Sequence, residues 1–141
     1  MLELTPEQMD EMQQHARSSY PEECIGILGA EKDSRRISEV RRMSNACTES
    51  RQTRSTIAPL EILKIEREYR QRGLKMVGWY HSHPDHPCRP SGFDLEHAWS
   101  SLSCVIVKVD RGEPVEVTSW VLREDRSAFD PEEISVTKSS K

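Results

Sequence analysis

His81-Ser82-His83-Pro84 closes an apolar run, Met76-Val77-Gly78-Trp79-Tyr80. The run is rich in β-branched and aromatic side chains and reads as a strand over Lys75 to Ser82. Side chains at i and i+2 of a strand share a face, so this strand delivers two imidazoles side by side. Proline then removes a ladder donor, so the strand stops and the chain turns. Any fold of this chain therefore carries paired imidazoles at a strand end, with a loop behind them. Gly78 to Trp99 holds four of the five histidines, with Cys88 and three prolines.

The rest of the chain supplies a frame for that strand. Thr5-Pro6-Glu7-Gln8 starts a helix: Thr5 caps, Pro6 suits the first helical position and Gln8 completes a capping box. Met9, Met12 and Ala16 recur at helical spacing, and the helix stops before Pro21. Cys24 to Gly29 and Ile37 to Met43 read as a hairpin of one buried and one half-buried strand. Ser44 to Ser55 is a polar, irregular connection, with a brief strand expected at Thr56-Ile57. Pro59 to Gln71 reads as a second helix, its apolar stripe built from Leu60, Ile62, Leu63 and Tyr69, and Gly73 ends it. A short helix follows Ser91. Leu102 to Val109 and Val115 to Leu122 are strands, with Gly112-Glu113-Pro114 as the turn between them. A short strand is expected at Ile134 to Val136 before a frayed end. This order predicts an α/β (mixed α+β) domain, a mixed sheet with helices packed on it. One domain is expected over residues 1–125, followed by a polar, partly disordered extension over 126–141.

Composition removes several function classes. The chain has 141 residues, 35% apolar and 31% charged, enough for one modest core beneath a charged surface. A net charge of −4 argues against a nucleic-acid binder. No apolar run approaches the ~20 residues of a membrane span. Met1 to Tyr20 lacks an apolar signal core. Cys24, Cys47, Cys88 and Cys104 are scattered without a CxxC pair, as free thiols are. A cytoplasmic protein is expected, and nothing in the sequence sets its oligomeric state.

His81 and His83 can bind one divalent ion, and Asp94, in the first turn of the short helix, can supply a third ligand. Two histidines and a carboxylate leave a fourth tetrahedral position open, as catalytic zinc sites do. Ser91-x-x-Asp94 is equally an ordinary capping box. His86 and Cys88 compete as ligands, so spacing alone leaves a Cys/His site open. The PCxxC segment of zinc deaminases and the HExxH of zincins are absent.

Taken together, His81-Ser82-His83-Pro84, Ser91 and Asp94 resemble the HSHP…SxxD signature of the JAMM (MPN-plus) metalloproteases, spacing included. That family carries an upstream glutamate in a Pro-x-Glu-x-x-Gly setting, which Pro21-Glu22-Glu23-Cys24-Ile25-Gly26 matches at Glu23 and not Glu22. The similarity covers roughly residues 1 to 125 and is to the stand-alone prokaryotic branch. It implies a mixed sheet flanked by helices, similar to the cytidine deaminases, and one Zn2+ held by His81, His83 and Asp94. It implies Glu23 as general acid–base and Ser91 as oxyanion donor. The implied reaction is hydrolysis of a peptide or isopeptide bond after the C-terminal Gly-Gly of a small ubiquitin-like or sulfur-carrier protein. Competing readings are a non-catalytic MPN-type scaffold, whose members lack the metal ligands, and a small-molecule metallohydrolase on the same fold. A thin Gly-Gly tail would need a narrow groove, for which Ser44 to Ser55 and Asp85 to Pro90 are the natural walls. Arg51 to Arg54, with Arg67, Arg70 and Arg72, read as a solvated surface or as a docking face for an acidic carrier. Cys88 reads as a bystander.

Overall fold

The structure is a computed structural model and describes residues 1–137. Helix α1 (Pro6–Ser19) begins as its sequence requires. Thr5 Oγ1 accepts from the Gln8 N–H at 3.2 Å, and Gln8 Oε1 accepts from the Thr5 N–H at 3.0 Å. Strands β2 (Ile25–Glu31) and β3 (Ile37–Met43) form the expected hairpin. Helix α2 (Pro59–Gln71) is followed by Gly73 at φ +71°, a left-handed position that glycine occupies without steric cost. Then come β4 (Leu74–Pro84), α3 (Gly92–Glu96), β5 (Ser103–Asp110), β6 (Glu113–Leu122), β7 (Phe129–Glu132) and β8 (Ile134–Val136). With β1 (Leu2–Leu4) at the start, these make two sheets.

The main sheet has six strands in the order β3-β2-β4-β5-β6-β7. Only β4 and β5 run parallel, so the sheet is mixed, as expected. Each face has its own core. On one, α1 packs Met12 and Ala16 against Leu28, Val77, Tyr80, Val105 and Val107. On the other, α2 packs Ile65 and Tyr69 against Ile25, Ile27, Trp79, Cys104 and Ile106. β5 feeds both cores, which is why its sequence is apolar almost throughout.

β4 does not alternate evenly. Leu74 and Met76 meet the α2 core and Val77 the α1 core, yet Trp79 returns to the α2 core and Tyr80 to the α1 core. The ladder to β2 slips here, pairing Leu28 with Gly78 but Gly29 with Met76. This bulge shifts the phase of everything after it by one residue. His81 and His83 consequently share the α2 side with Trp79, and Ser82 points to the α1 side.

Three local expectations need correction, and two strands are additional. Thr56-Ile57 is not a strand: the Thr56 carbonyl accepts from the Ala46 N–H at 2.8 Å, a tie within the loop, with no neighbouring strand to pair. The buried stripe of α2 is Ile65 and Tyr69 with Ile62 beside them, while Leu60 and Leu63 are 71% and 61% exposed. The turn between β5 and β6 lies at Arg111-Gly112, both at positive φ, and Glu113 and Pro114 already belong to β6. β1 and β7 were not anticipated. β1 is too short to show a pattern, and β7 contains Pro131, which only an edge strand tolerates well.

Of the segment expected as a polar extension at 126–141, residues 129–132 edge the main sheet, and 134–136 pair in parallel with β1, as the short strand expected there. Residues 138–141 of that expected tail lie outside the described residues. All four cysteines are free, and among the described residues no helix is long and apolar enough to cross a membrane.

Candidate metal centre

β4 holds the histidine pair rigidly because it is bonded on both edges, with His81 opposite Ile25 of β2 and Ile106 of β5. Both imidazoles are buried, with their Nε2 atoms 3.1 Å apart. His83 Nδ1 donates to the Pro87 carbonyl at 2.7 Å, which fixes its tautomer and leaves the Nε2 lone pair free. Between them Ser82 does structural work. Its Oγ accepts from the Cys24 N–H at 2.8 Å and its N–H donates to the Cys24 carbonyl at 3.2 Å. The segment carrying Glu23 is thereby fastened to the strand carrying the histidines.

Asp94 arrives from the loop side. Ser91 caps α3, its Oγ accepting from the Asp94 N–H at 3.1 Å, and Asp94 Oδ2 accepts from the Ser91 N–H at 2.9 Å. That same Oδ2 lies 3.1 Å from His81 Nε2 and 3.0 Å from His83 Nε2. The capping box and the ligand set are thus one arrangement, in which the cap aims the carboxylate. Burial alone would raise the Asp94 carboxyl, but the two imidazoles hold it well below the usual carboxylate range.

The three ligand atoms fit a zinc ion. Ligands at about 2.0–2.1 Å from a tetrahedral ion stand about 3.3 Å apart, close to the 3.0–3.1 Å triangle here. Two imidazole nitrogens and a carboxylate oxygen are also the donor types zinc takes. Among the described residues His81, His83 and Asp94 form a group that could hold a metal, their ligand atoms all within 4.8 Å of one another, whereas His86 and Cys88 are not part of that group. His86 stacks on His83, ring centroids 4.2 Å apart and 21° from parallel, with its Nε2 turned toward Glu23. Cys88 Sγ faces the other way, 3.4 Å from the Ile106 carbonyl and 3.2 Å from Thr118 Oγ1.

Glu23 lies just before β2, only 2% exposed. Ser55 Oγ donates to its Oε1 at 2.6 Å. Its Oε2 is buried without a hydrogen-bond partner among the described residues, 3.6 Å from His86 Nε2, which likewise has none among them. Burial pushes the Glu23 carboxyl up to about 8, against the pull of the Ser55 hydrogen bond. Burial likewise takes His86 down to about 4, so it stays neutral. A carboxyl whose affinity for protons lies near neutrality can both take and give one. A cation on the three ligands would draw it lower.

A cavity of about 210 Å³ opens beside the ligands. Ser55 to Ile57 form one wall, Phe93, His97 and Trp99 the other, with Ile25 and Trp79 beneath. Of the two connections expected as groove walls, only the first contributes to the lining of this cavity. The first connection meets the cavity at Ser55, none of residues 85–90 lines it, and Phe93 and Asp94 of α3 do. A larger cavity of about 440 Å³, between α2 and Trp99 to Leu102, contains no ligand residue. The arginines divide. Arg72 pairs with Glu39 and Glu68, Arg51 Nε donates to the Cys47 carbonyl, and Arg54 lies over the Phe93 ring. Arg67 and Arg70 remain on the exposed face of α2. Ser55 and the second bond of Ser82 were not foreseen. No local pattern marks a serine 32 residues from its carboxylate partner.

The family model of prokaryotic homologs of the JAB domain matches residues 5–123. A desampylase of Haloferax volcanii is 31% identical over 114 residues, 77% of this chain and 81% of the relative. A probable TtuB-protein conjugate cleaving protease of Thermus thermophilus is 26% identical over 102 residues, 72% and 66% of the two chains. Among solved structures, a protein of Desulfitobacterium hafniense studied in solution superimposes with a TM-score of 0.83 at 33% identity, covering 99% of this chain and 94% of the other.

Proposed function

The chain belongs to the prokaryotic homologs of the JAB domain, a family of hydrolytic JAMM metallopeptidases, and from that premise we propose that it is a zinc-dependent isopeptidase acting on conjugates of a small ubiquitin-like or sulfur-carrier protein. One observation carries this reading. A single buried Asp94 oxygen converges with both histidine Nε2 atoms, and the free oxygen of a buried glutamate is unpartnered close by. A scaffold has no use for such a set, and the desampylase and conjugate-cleaving relatives support the substrate class.

The residues divide the work as follows. His81, His83 and Asp94 would hold the ion. A zinc ion there supplies Lewis acidity and a water whose pKa is lowered toward ~7. Glu23 Oε2 takes the proton of the attacking water and delivers it to the departing amine. Ser91 Oγ already accepts a backbone N–H, so its own proton remains free to donate to the carbonyl oxygen as charge develops there. The cavity between Ser55–Ile57 and α3 receives the extended Gly-Gly end of the carrier, and cleavage falls after the second glycine.

The test uses the small Gly-Gly-ending carriers of the host, each joined to a lysine side chain, with the cleaved bond read by mass spectrometry. Wild type releases the free carrier. Glu23→Gln keeps zinc and loses on the order of 10²- to 10⁴-fold in rate. His81→Ala with His83→Ala loses zinc as well. Undiminished zinc in that double variant, or full activity in Glu23→Gln, would refute the assignment.

A further inference from the structure

Glu23 is held by a loop rather than by its own strand. Its N–H donates to the Arg51 carbonyl at 2.8 Å, its carbonyl accepts from Asn45 Nδ2 at 3.3 Å, and its carboxylate accepts from Ser55 Oγ at 2.6 Å. All three partners come from residues 45–55. Asn45 braces that loop across its base. Its Nδ2 also donates to the Arg54 carbonyl at 3.0 Å, and its Oδ1 accepts from the Cys47 N–H at 3.0 Å and the Thr56 N–H at 3.3 Å. The residues on either side of Ser55 are therefore fixed by one side-chain amide. Ser55 is itself buried and forms part of the cavity wall beside the ligands.

A carboxylate turns easily about its last torsion, because terminal sp³–sp² rotations are broad and shallow. Fastening Oε1 removes that freedom and leaves Oε2 as the oxygen available for proton transfer. We propose that Ser55 is a positioning residue for hydrolysis: by binding Glu23 Oε1 it presents Oε2 alone to the attacking water. The inference rests on Glu23 being the general base. It predicts an effect that passes wholly through Glu23. Among the described residues the hydrogen bond of the Ser55 side chain goes to Glu23 and not to His81, His83 or Asp94.

The test is a double-mutant cycle under single-turnover conditions, using the lysine-linked Gly-Gly carrier that wild type cleaves, with zinc content measured on each protein. A hydrogen bond to a charged group carries enough energy that its loss lowers the rate about 10- to 100-fold. Ser55→Ala is expected to show that fall with unchanged KM and zinc. Ser55→Thr keeps the hydroxyl and is expected to recover most of the rate. In a Glu23→Gln background, Ser55→Ala is expected to add nothing further, since residues that act as a unit are not additive. A wild-type rate in Ser55→Ala overturns the proposal while leaving Glu23 as base. An equal fall in both backgrounds overturns it too, because that is the mark of a general structural defect. A wild-type rate in Glu23→Gln overturns the reading beneath it, and the proposal with it.

Discussion

Asp94 Oδ2 completes a helix cap and faces two imidazoles with the same lone-pair surface. Atoms with two partners recur in this molecule, and they make single substitutions informative. His15 is informative for another reason, its burial on the α1 face away from the metal centre. Its Nδ1 and Tyr80 Oη share a buried hydrogen bond of 2.7 Å. Burial, aided by the charge of Arg42, takes His15 from 6.5 down to about 4. The unfolded chain therefore binds this proton first as the pH falls. The stability His15 confers is complete above about 6.5 and is lost progressively toward about 4. Over that window the loss is roughly 3 kcal/mol. Denaturant unfolding at a series of pH values checks it. His15→Gln, which keeps a hydrogen-bonding side chain but does not titrate, should flatten the slope by that amount. Parallel slopes in the two proteins would show that His15 does not titrate between the states.

Elements place these atoms, and β4 places most of them. Its bulge at Val77–Gly78 decides that the histidines face α2. Gly78 is the position that permits it. A Cβ there would lie 2.6 Å from the Ser103 carbonyl oxygen and 3.2 Å from Ser103 Cβ, across the parallel ladder to β5. The nearest obstacle is backbone in the middle of the sheet, so it cannot swing aside. Gly78→Ala should cost roughly 2 kcal/mol or more in thermal or chemical unfolding. It should also weaken zinc binding, because β4 must move relative to α3 to make room. Unaltered stability would mean that the ladder relaxes there without penalty. α3 makes the complementary point: it is too short to be stable alone, and its cap involves Asp94, the candidate metal ligand.

Across the whole molecule, Glu132 ties β7 to β5, to β6 and to Arg35 between β2 and β3. Its carboxylate accepts from Ser103 Oγ at 2.7 Å, Ser119 Oγ at 2.8 Å and Arg35 Nη2 at 2.7 Å. The Leu2 N–H donates to the neighbouring Glu133 carbonyl at 2.9 Å, and β1 then pairs with β8. Burial would raise the Glu132 carboxyl, but the serine hydroxyls and Arg35 hold it below its ordinary value. Glu132→Ala leaves two buried hydroxyls without their acceptor and should cost about 2–3 kcal/mol in chemical unfolding. Glu132→Gln keeps an acceptor oxygen and should cost clearly less. Equal costs for the two would assign the effect to lost charge and not to lost hydrogen bonds.

Much of this was legible from local chemistry. The Thr5–Gln8 box, the β2–β3 hairpin, the bounds of α2 and the strand ending at Pro84 are set by contacts within a few residues, so a local pattern suffices to read them. The pairing of His81 with His83 follows from the two-residue period of any strand, and the aim of Asp94 follows from its cap. Three things needed the folded chain. Which face of the sheet receives the histidines depends on a bulge whose cause is the ladder to β2, and no period read along β4 alone can register a one-residue slip against another strand. The hold of Ser55 on Glu23 joins residues 32 apart, and it exists only because Asn45 braces the intervening loop. The last strands find their partners at the edge of the main sheet and on β1, where Glu132 meets serines 29 and 13 residues away. Short-range chemistry is written in the order of the residues. Register between strands and hydrogen bonds across loops arise only when chain closure brings distant groups to the same place.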